Sequence, residues 1–171
     1  MKLIKPTVEL MKAYIEFIHE FHAAGEEHVH GVGGIDIDNF EESVCKELGY
    51  AKGIGLPENC VPSNTYWFLS QGGIIGTCNL RHQLNDFLKS YGGHVGYSIR
   101  PSQRGEGYGT QILRLALEKA RTLGIGRVLI TCDDDNIASV RVIEKNSGKL
   151  ADKVNTENSK ILTRRYWIDF S

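Results

Sequence analysis

His94-Val-Gly-Tyr-Ser-Ile-Arg-Pro-Ser-Gln-Arg-Gly-Glu-Gly-Tyr-Gly-Thr110 is the stretch of sequence that decides the fold. An apolar segment stops at Pro101, and a helical pattern begins directly after three alternate glycines, Gly105, Gly107 and Gly109. Glycines carry no side chain, so they leave backbone N–H groups uncovered at the positive end of the helix. This strand–loop–helix turn predicts a cradle for an anion, most often a diphosphate.

The spacing within this loop excludes three common nucleotide-binding motifs. A P-loop has a lysine before its Ser/Thr, but Thr110 and Gln111 follow the last glycine here. A Rossmann loop needs a further glycine where Thr110 stands and an acidic residue near the next strand, where the chain has Arg127. The glycine loop of kinases lies between two strands, whereas this one leads into a helix.

The motif that does fit is Arg-x-x-Gly-x-Gly, formed by Arg104, Gly107 and Gly109. It resembles the pyrophosphate-binding motif of the GCN5-related N-acetyltransferases (GNAT family), and the likeness covers the last two thirds of the chain best. The resemblance implies an acetyl-CoA-dependent N-acetyltransferase that moves the acetyl group directly to a primary amine in a ternary complex. A non-catalytic acyl-CoA-binding or sensor module of the same fold is the alternative, and an unrelated nucleotide-binding protein is a third hypothesis.

The resemblance also implies which residues hold acetyl-CoA. The strand before the loop would pair with the pantetheine amides, and the loop would bind the diphosphate. Asn136-x-x-Ser139 resembles the family segment in which an asparagine bonds the pantetheine, and Asn136 also suits a helix N-cap. The cofactor-binding residues expected on this basis are Tyr97, Ser98, Ile99, Arg104, Gly105, Glu106, Gly107, Tyr108, Gly109, Thr110, Asn136 and Ser139.

Acetyl transfer to an amine makes a base valuable and an acid less important. A lysine-like amine has a pKa near 10.4, so holding it neutral at pH 7 costs about 4–5 kcal/mol. The leaving thiol has a pKa of about 8.5, so its thiolate departs without much help. Many family members place a tyrosine acid at the position of Ile143, and isoleucine donates no proton. Tyr97, Tyr108 and Tyr166 are candidates for this role only through their expected proximity to the cleft.

Two histidines at strand ends are the candidate catalytic bases. His82 ends one predicted strand and His94 begins the next, and histidine can accept a proton directly or through water at neutral pH. Both could instead serve as hydrogen-bonded strand ends. Asp133 and Glu106 are weaker candidates. The loop over 24–37 and the segment 83–92 are expected to form the acceptor pocket, with carboxylates that would attract a cationic amine at Glu26, Glu27, Asp36 and Asp38.

Periodicity along the chain predicts a mixed α/β fold. Strands are expected over 2–5, 65–70, 73–82, 94–100, 127–132, 149–155 and 160–169, helices over 7–23, 38–49, 106–123 and 136–146, and a short turn or helix over 84–90. Gln71-Gly72-Gly73 reads as a hairpin turn, and Asp38 with Glu41 as a capping box. We therefore expect a GNAT-like single domain over 1–171, with a mixed, mostly antiparallel central sheet of about seven strands and helices on both faces.

Composition limits the partners and the compartment. The net charge of −1 and the lack of a basic run make nucleic acid an unexpected partner. No segment has the apolar length of a membrane span or of a signal peptide core, so we expect no membrane association and a cytoplasmic protein. The four cysteines are dispersed, which favours reduced thiols and no metal site. The acceptor amine and the oligomeric state, a homodimer included, are left open.

Overall fold

Seven strands and five α-helices alternate along the part of the chain that the structure describes. A computed structural model describes residues 1–70, 73–155 and 160–170. In chain order the elements are β1 (Lys2–Ile4), α1 (Met11–Ala23), α2 (Phe40–Tyr50), β2 (Ser63–Ser70), β3 (Gly73–Arg81), α3 (Asp86–Ser90), β4 (Val95–Ile99), α4 (Tyr108–Thr122), β5 (Arg127–Asp133), α5 (Ile137–Lys145), β6 (Lys149–Val154) and β7 (Thr163–Asp169).

The strands form two antiparallel sheets that lie side by side. One sheet has the order β1-β2-β3-β4 and the other β5-β7-β6. The ladder between β2 and β3 runs from Ser63↔Arg81 to Ser70↔Gly73, which confirms the predicted strand pair. The turn predicted at Gln71 and Gly72 lies outside the described residues. The predicted strand count and the mostly antiparallel sheet are confirmed.

The two sheets are joined at one point, between the start of β4 and the middle of β5. The His94 N–H donates to the Leu129 carbonyl at 2.7 Å, and the Gly92 N–H donates to Thr131 Oγ1 at 2.8 Å. Gly93 adopts φ +59°, and a Cβ atom there would lie 2.5 Å from the Leu129 carbonyl oxygen. Beyond this joint the described residues form no ladder between β4 and β5. The strands therefore separate toward their carboxyl ends and open a cleft.

Helices cover both faces of the sheets, as the sequence predicts. Tyr14, Phe17, Ile18 and Phe21 recur along α1 at helical spacing and are buried in a cluster with Trp67 and Ile74. The Tyr14 and Trp67 rings stack with their centroids 5.2 Å apart. The apolar side of α4 lies on the opposite face, where it packs with β-strand residues and α5 through Ile112, Leu113, Ala116, Leu117 and Ala120. Neighbouring residues of β2 alternate between these two cores, which fixes the strand's register.

The start of α2 differs from the prediction. Asp38 is not the N-cap: the helix begins at Phe40, its N-cap is Asn39, and no side chain caps it. The Asp36 carboxylate instead accepts hydrogen bonds from the Asp38 N–H at 3.0 Å and from Asn39 Nδ2 at 2.9 Å. A capping pattern two residues upstream thus organises the turn before the helix, because aspartate side chains bond backbone N–H groups two residues on.

Candidate active site

The glycine loop has the geometry of an anion cradle. Gly105 and Gly107 have φ values of +85° and +80°, and Gly107 is the left-handed N-cap of α4. Thr110 and Gln111 return their N–H groups to the Gly107 carbonyl at 3.1 and 3.2 Å. Within the described chain, the N–H groups of residues 105–109 donate to no protein acceptor. A row of such free donors at a helix N-terminus fits a diphosphate, as the sequence predicts.

The Arg104 side chain anchors the loop and does not point its charge at the cradle. Its Nη1 and Nη2 atoms bond both oxygens of Glu26 at 2.6 and 2.8 Å, and its Nε donates to the Ile99 carbonyl at 3.0 Å. The guanidinium carbon lies 5.5 Å from the centroid of the Phe21 ring. These hydrogen bonds hold the pKa of Glu26 below its usual value. The Arg104 N–H also donates to the Pro101 carbonyl at 3.3 Å, so Arg104 shapes the loop and the free donors of the cradle begin at Gly105.

A second carboxylate clamps the same loop from α1. Glu20 accepts a hydrogen bond from the Ser102 N–H at 2.6 Å and pairs with the Arg100 guanidinium. Burial raises the pKa of Glu20, but these hydrogen bonds outweigh it and leave the pKa lowered. The cradle is thus tied to the end of α1 at two places.

The outer edge of β4 can accept an extended ligand at the Tyr97 peptide groups and at the Ile99 N–H, whereas the Ile99 carbonyl is bonded by Arg104 Nε. The Arg100 N–H donates to the Ile75 carbonyl on β3, and peptide groups alternate sides along an antiparallel strand. The peptide groups of Gly96 and Ser98 therefore point toward β3, while those of Tyr97 and Ile99 point toward the cleft. This narrows the predicted pantetheine edge to Tyr97 and Ile99, because the Ser98 peptide groups are used in the β3 ladder.

A cavity of about 180 Å³ occupies the cleft between β4 and β5. Its walls come from the loop after α1, from the end of β3, from α3 with its following turn, and from the separating parts of β4 and β5. The lining residues are His30, Gly31, Arg81, Phe87, Leu88, Tyr91, Gly92, Val95, Gly96, Tyr97, Thr131, Cys132, Asp133, Asn136 and Ser139. The loop 24–37 and the segment 83–92, predicted to form one pocket, do line the same cavity.

Three predicted cofactor residues meet on the β5–α5 side of this cavity. Asn136 Oδ1 accepts from the Ser139 N–H at 3.0 Å, so Asn136 is the N-cap of α5. Its side-chain amide donors have no acceptor among the described residues, so the cap leaves them available to a ligand. The Tyr97 hydroxyl lies 2.9 Å from Ser139 Oγ. Burial raises the pKa of Tyr97 to about 12.

The two histidines predicted as bases lie apart from the cavity lining. His94 is buried, and its Nδ1 accepts a hydrogen bond from the Leu129 N–H at 2.9 Å. Burial lowers its pKa, so the ring is neutral, its proton sits on Nε2, and no lone pair is left for an amine proton. His82 Nε2 lies 2.8 Å from Asn64 Oδ1. A catalytic role for either stays a prediction, and these contacts argue for structural roles at the strand ends.

The other residues considered for proton transfer are mostly structural. Ile143, on α5, is fully buried in the core and has no group that could donate a proton. Tyr166 is also fully buried, and the Tyr108 ring packs edge-on to Phe68. Of the carboxylates expected to attract an amine, Glu26 is committed to Arg104 and Asp36 to the turn before α2.

Two residues that the sequence left unassigned line the cavity, His30 and Arg81. Gly31, next to His30, has φ +75°, and its carbonyl accepts a hydrogen bond from Thr77 Oγ1 at 2.6 Å. A Cβ at Gly31 would lie 2.5 Å from the Gly96 carbonyl oxygen, so the loop rests directly on β4. The only sequence signal for this close approach was the glycine-rich segment itself.

Comparison with known proteins gives the family. Residues 57–149 match the family model described as the acetyltransferase (GNAT) domain, which is more than half of the chain. The chain belongs to the GNAT acetyltransferase family. The match spans the glycine loop, the cleft strands and α5, and it includes every cavity-lining residue except His30 and Gly31. No curated protein matches the sequence significantly.

Solved GNAT structures share the fold at low sequence identity. The Salmonella typhimurium acetyltransferase that modifies the N-terminal serine of ribosomal protein L7/L12 has a TM-score of 0.68 at 17% identity, covering 99% of this chain and 94% of that one. The ribosomal-protein-alanine N-acetyltransferase of Brucella melitensis scores 0.66 at 12%, covering 99% and 100%. The yncA protein of Salmonella typhimurium, solved with its cofactor acetyl-CoA, scores 0.64 at 15%, covering 98% and 92%.

Two further features of the described residues concern metals and membranes. No group of three or more His, Cys, Asp and Glu side chains is placed to hold a metal ion there. None of the helices in the same ranges combines the length and apolar character needed to cross a membrane.

Proposed function

We propose that this protein transfers an acetyl group from acetyl-CoA directly to a primary amine, in a ternary complex in the cleft between β4 and β5. The observation that carries this proposal is the convergence of three features on one cleft. These features are the free N–H groups of residues 105–109, the open edge of β4 at Tyr97 and Ile99, and the Asn136 amide at the cavity. Together they fit an elongated thioester that carries a diphosphate at one end.

The chain's own groups would hold acetyl-CoA in three places. The residues 105–109 would donate to the diphosphate, and Tyr97 and Ile99 would pair with the pantetheine amides as an added strand does. Asn136 Nδ2 would donate to a pantetheine carbonyl while its oxygen still caps α5. When bound, acetyl-CoA supplies an acyl carbon activated as a thioester. A backbone N–H on the free edge of β4 would stabilise the oxyanion that forms there.

We assign the general base to His30. Burial raises the pKa of Cys132 to about 11 and that of Tyr97 to about 12, so both keep their protons at neutral pH. Arg81 is a cation, whereas histidine is the side chain best matched to proton transfer near pH 7. His30 is exposed at the cavity, and its neighbour Gly31 rests on Gly96 of β4. It therefore lies beside the strand that would hold the thioester.

Proton transfer then follows a balanced course. The acceptor loses one proton to solvent and attacks as the neutral amine. As the new carbon–nitrogen bond forms, His30 takes a proton from the nitrogen. The carbon–sulfur bond breaks with its electron pair on sulfur, and the thiolate takes up the proton through water. The products are an amide and free CoA thiol, with His30 neutral again.

Gly107→Trp is the sharpest test of the acetyl-CoA site. Nothing lies within 4 Å of a Cβ at Gly107, so a side chain there would start clear of the core, beside the free N–H groups of the cradle. Gly105→Trp, which is equally open, serves as a second cradle variant, and Gly124→Trp at the other end of α4 as the control. We expect the cradle variants to lose acetyl-CoA binding in calorimetry and the control to keep it. Unchanged acetyl-CoA affinity in both cradle variants contradicts the proposed site.

Turnover separates the enzyme from a sensor of the same fold. Thioester absorbance should fall when acetyl-CoA and a suitable amine are mixed with the protein. This readout avoids thiol reagents, which would also react with the exposed Cys45 and Cys60. Tight acetyl-CoA binding with no amine accepted across a broad panel would favour the non-catalytic sensor. Stabilisation by NAD or ATP but not by acetyl-CoA would favour a nucleotide-binding protein.

A further inference from the structure

Arg81 is a largely enclosed cation that lines the cavity without a carboxylate partner. Several other arginines pair with carboxylates, as Arg100 does with Glu20, Arg104 with Glu26 and Arg164 with Asp134. Arg81 forms no ion pair with any described residue. Because a buried charge is costly unless it is paired, a free guanidinium in a binding cavity indicates an anionic group on the ligand.

The guanidinium is held in place with donors to spare. Arg81 Nη1 donates to the carbonyls of Gly92 and Gly93 at 3.0 and 3.1 Å. Its Nε and Nη2 atoms donate to nothing in the described chain. Burial lowers the pKa of Arg81, so an anion would be bound more strongly here than at the surface. The free edge formed by Nε and Nη2 of a planar guanidinium is well matched to a carboxylate.

A carboxylate lines the same cavity as Arg81. Asp133, at the carboxyl end of β5, also lines the cavity and forms no ion pair among the described residues. The cavity therefore presents one free cation and one free anion, with His30 at its exposed side. Phe87 and Tyr91, whose rings meet edge-on at 6.0 Å, add an apolar wall. This set of groups is complementary to a zwitterion with an apolar side chain.

We propose that the acceptor is a free amino acid, whose carboxylate binds Arg81 and whose ammonium group binds Asp133 before it loses a proton. This inference rests on the proposed acetyl transfer and names its substrate class. It distinguishes the protein from enzymes that act on protein N-termini, because an N-terminal residue within a chain has an amide where a free amino acid has a carboxylate.

Binding of reaction products tests the inference independently of turnover. N-acetyl-L-amino acids and their matched amides should be titrated calorimetrically into the CoA-loaded protein. We expect at least one N-acetyl amino acid to bind about 100-fold more tightly than its amide, because a site built to bond one group rejects the analogue that lacks it. Equal affinities for acid and amide, or no binding of either across the series, would overturn the inference.

Arg81→Gln and Arg81→Lys identify the residue that reads the carboxylate. The expected result is that Arg81→Gln abolishes the preference for acid over amide, while Arg81→Lys keeps part of it. Arg165→Gln is the matched control. Arg165, like Arg81, donates to a backbone carbonyl, that of Lys89 on α3, but it is paired with Asp152 and does not line the cavity. A ratio of acid to amide affinity that Arg81→Gln leaves unchanged contradicts the inference, even if both affinities fall.

Turnover assays on the same panel keep the two proposals separate. Faster thioester loss with amino acids than with their amides and simple alkylamines supports both. Equal turnover of carboxylate-free amines supports acetyl transfer and overturns the role of Arg81. No thioester loss with any amine, together with acid-selective product binding, overturns the proposed catalysis but supports the carboxylate site.

Discussion

Gly31→Ala tests whether contact between the loop 24–37 and β4 builds the acceptor side of the cavity. The loop lies so close to the strand that a Cβ at Gly31 would sit 2.5 Å from the Gly96 carbonyl oxygen and 2.9 Å from the Cys78 Cα. Both neighbours are backbone atoms of the central sheet, so the loop and not the sheet must move. The Thr77 hydroxyl would then lose its 2.6 Å bond to the Gly31 carbonyl.

The chain offers a matched control in the same loop. Gly25 has φ +76°, close to the +75° of Gly31, but nothing lies within 4 Å of a Cβ there. Both alanine variants carry the left-handed penalty of about 1–2 kcal/mol, partly offset by the lower entropy of the unfolded chain. Only Gly31→Ala adds overpacking of about 1–3 kcal/mol and a lost hydrogen bond of about 1 kcal/mol. The expected difference between the variants is therefore about 2–4 kcal/mol.

Urea unfolding and acceptor kinetics measure the two consequences. With a slope of about 2 kcal/mol per molar urea, the midpoint of Gly31→Ala should fall about 1–2 M below that of Gly25→Ala. If the loop yields locally instead, the midpoints converge and the acceptor KM of Gly31→Ala rises at least about tenfold while acetyl-CoA affinity stays unchanged. Variants that match in both midpoint and acceptor KM would refute the close approach of the loop to β4.

Three further outcomes follow from the same structure. His30→Ala should lower kcat about 100-fold, whereas His28→Ala, in the same loop but outside the cavity lining, should leave kcat unchanged. Equal kcat values for the two variants would remove His30 from the mechanism. Glu47→Ala should lower the free energy of unfolding by about 2–4 kcal/mol, because the buried Glu47 accepts hydrogen bonds from Thr65 Oγ1 at 2.6 Å and from the Gly34 N–H at 2.8 Å. Glu47→Gln should lower the free energy of unfolding by less. Urea midpoints in which Glu47→Gln is the less stable of the two variants would contradict this prediction. The pKa of Glu20 is lowered in the folded protein, so this carboxylate contributes stability above its ordinary pKa of 4.5 and loses that contribution as the pH falls through the pKa of the folded state. The difference in unfolding free energy between wild type and Glu20→Gln should therefore shrink between neutral pH and about pH 3. A difference that stays constant with pH would count against this role of Glu20.

The cradle was predictable from sequence because its cause is local. Gly105 and Gly107 are glycines where the backbone takes positive φ, and the following helix shows its apolar side within a few residues. The same holds for Asn136, which caps α5 three residues before Ser139. Such features depend on neighbours in the chain, and a single sequence displays those neighbours directly.

The acceptor side of the site was not predictable because its causes are distant in sequence. The Nδ1 atom of His94 is occupied by the N–H of Leu129, which lies 35 residues away. The sequence motif suggests that the Arg104 side chain binds phosphate, whereas in the structure it bonds Glu26, which lies 78 residues earlier in the chain. His30 lies in the loop 24–37, which the sequence predicts as part of the acceptor pocket, but no period or motif distinguishes His30 from its neighbours there. The surroundings of these three residues depend on how the two sheets meet between β4 and β5, which the sequence alone does not display.

Hydrogen bonds hold the loop 24–37 at three points: Arg104 bonds Glu26, Thr77 bonds the Gly31 carbonyl, and Glu47 bonds the Gly34 N–H. Between Glu26 and Gly31, Glu27 and His28 are exposed and stand outside the proposed catalytic machinery. Evolution can therefore exchange these two side chains without disturbing the backbone that carries them, His30 or the acetyl-CoA cradle. Selectivity for the acceptor can change in this way while donor binding stays constant. Substitutions at Glu27 and His28 offer engineers the same freedom.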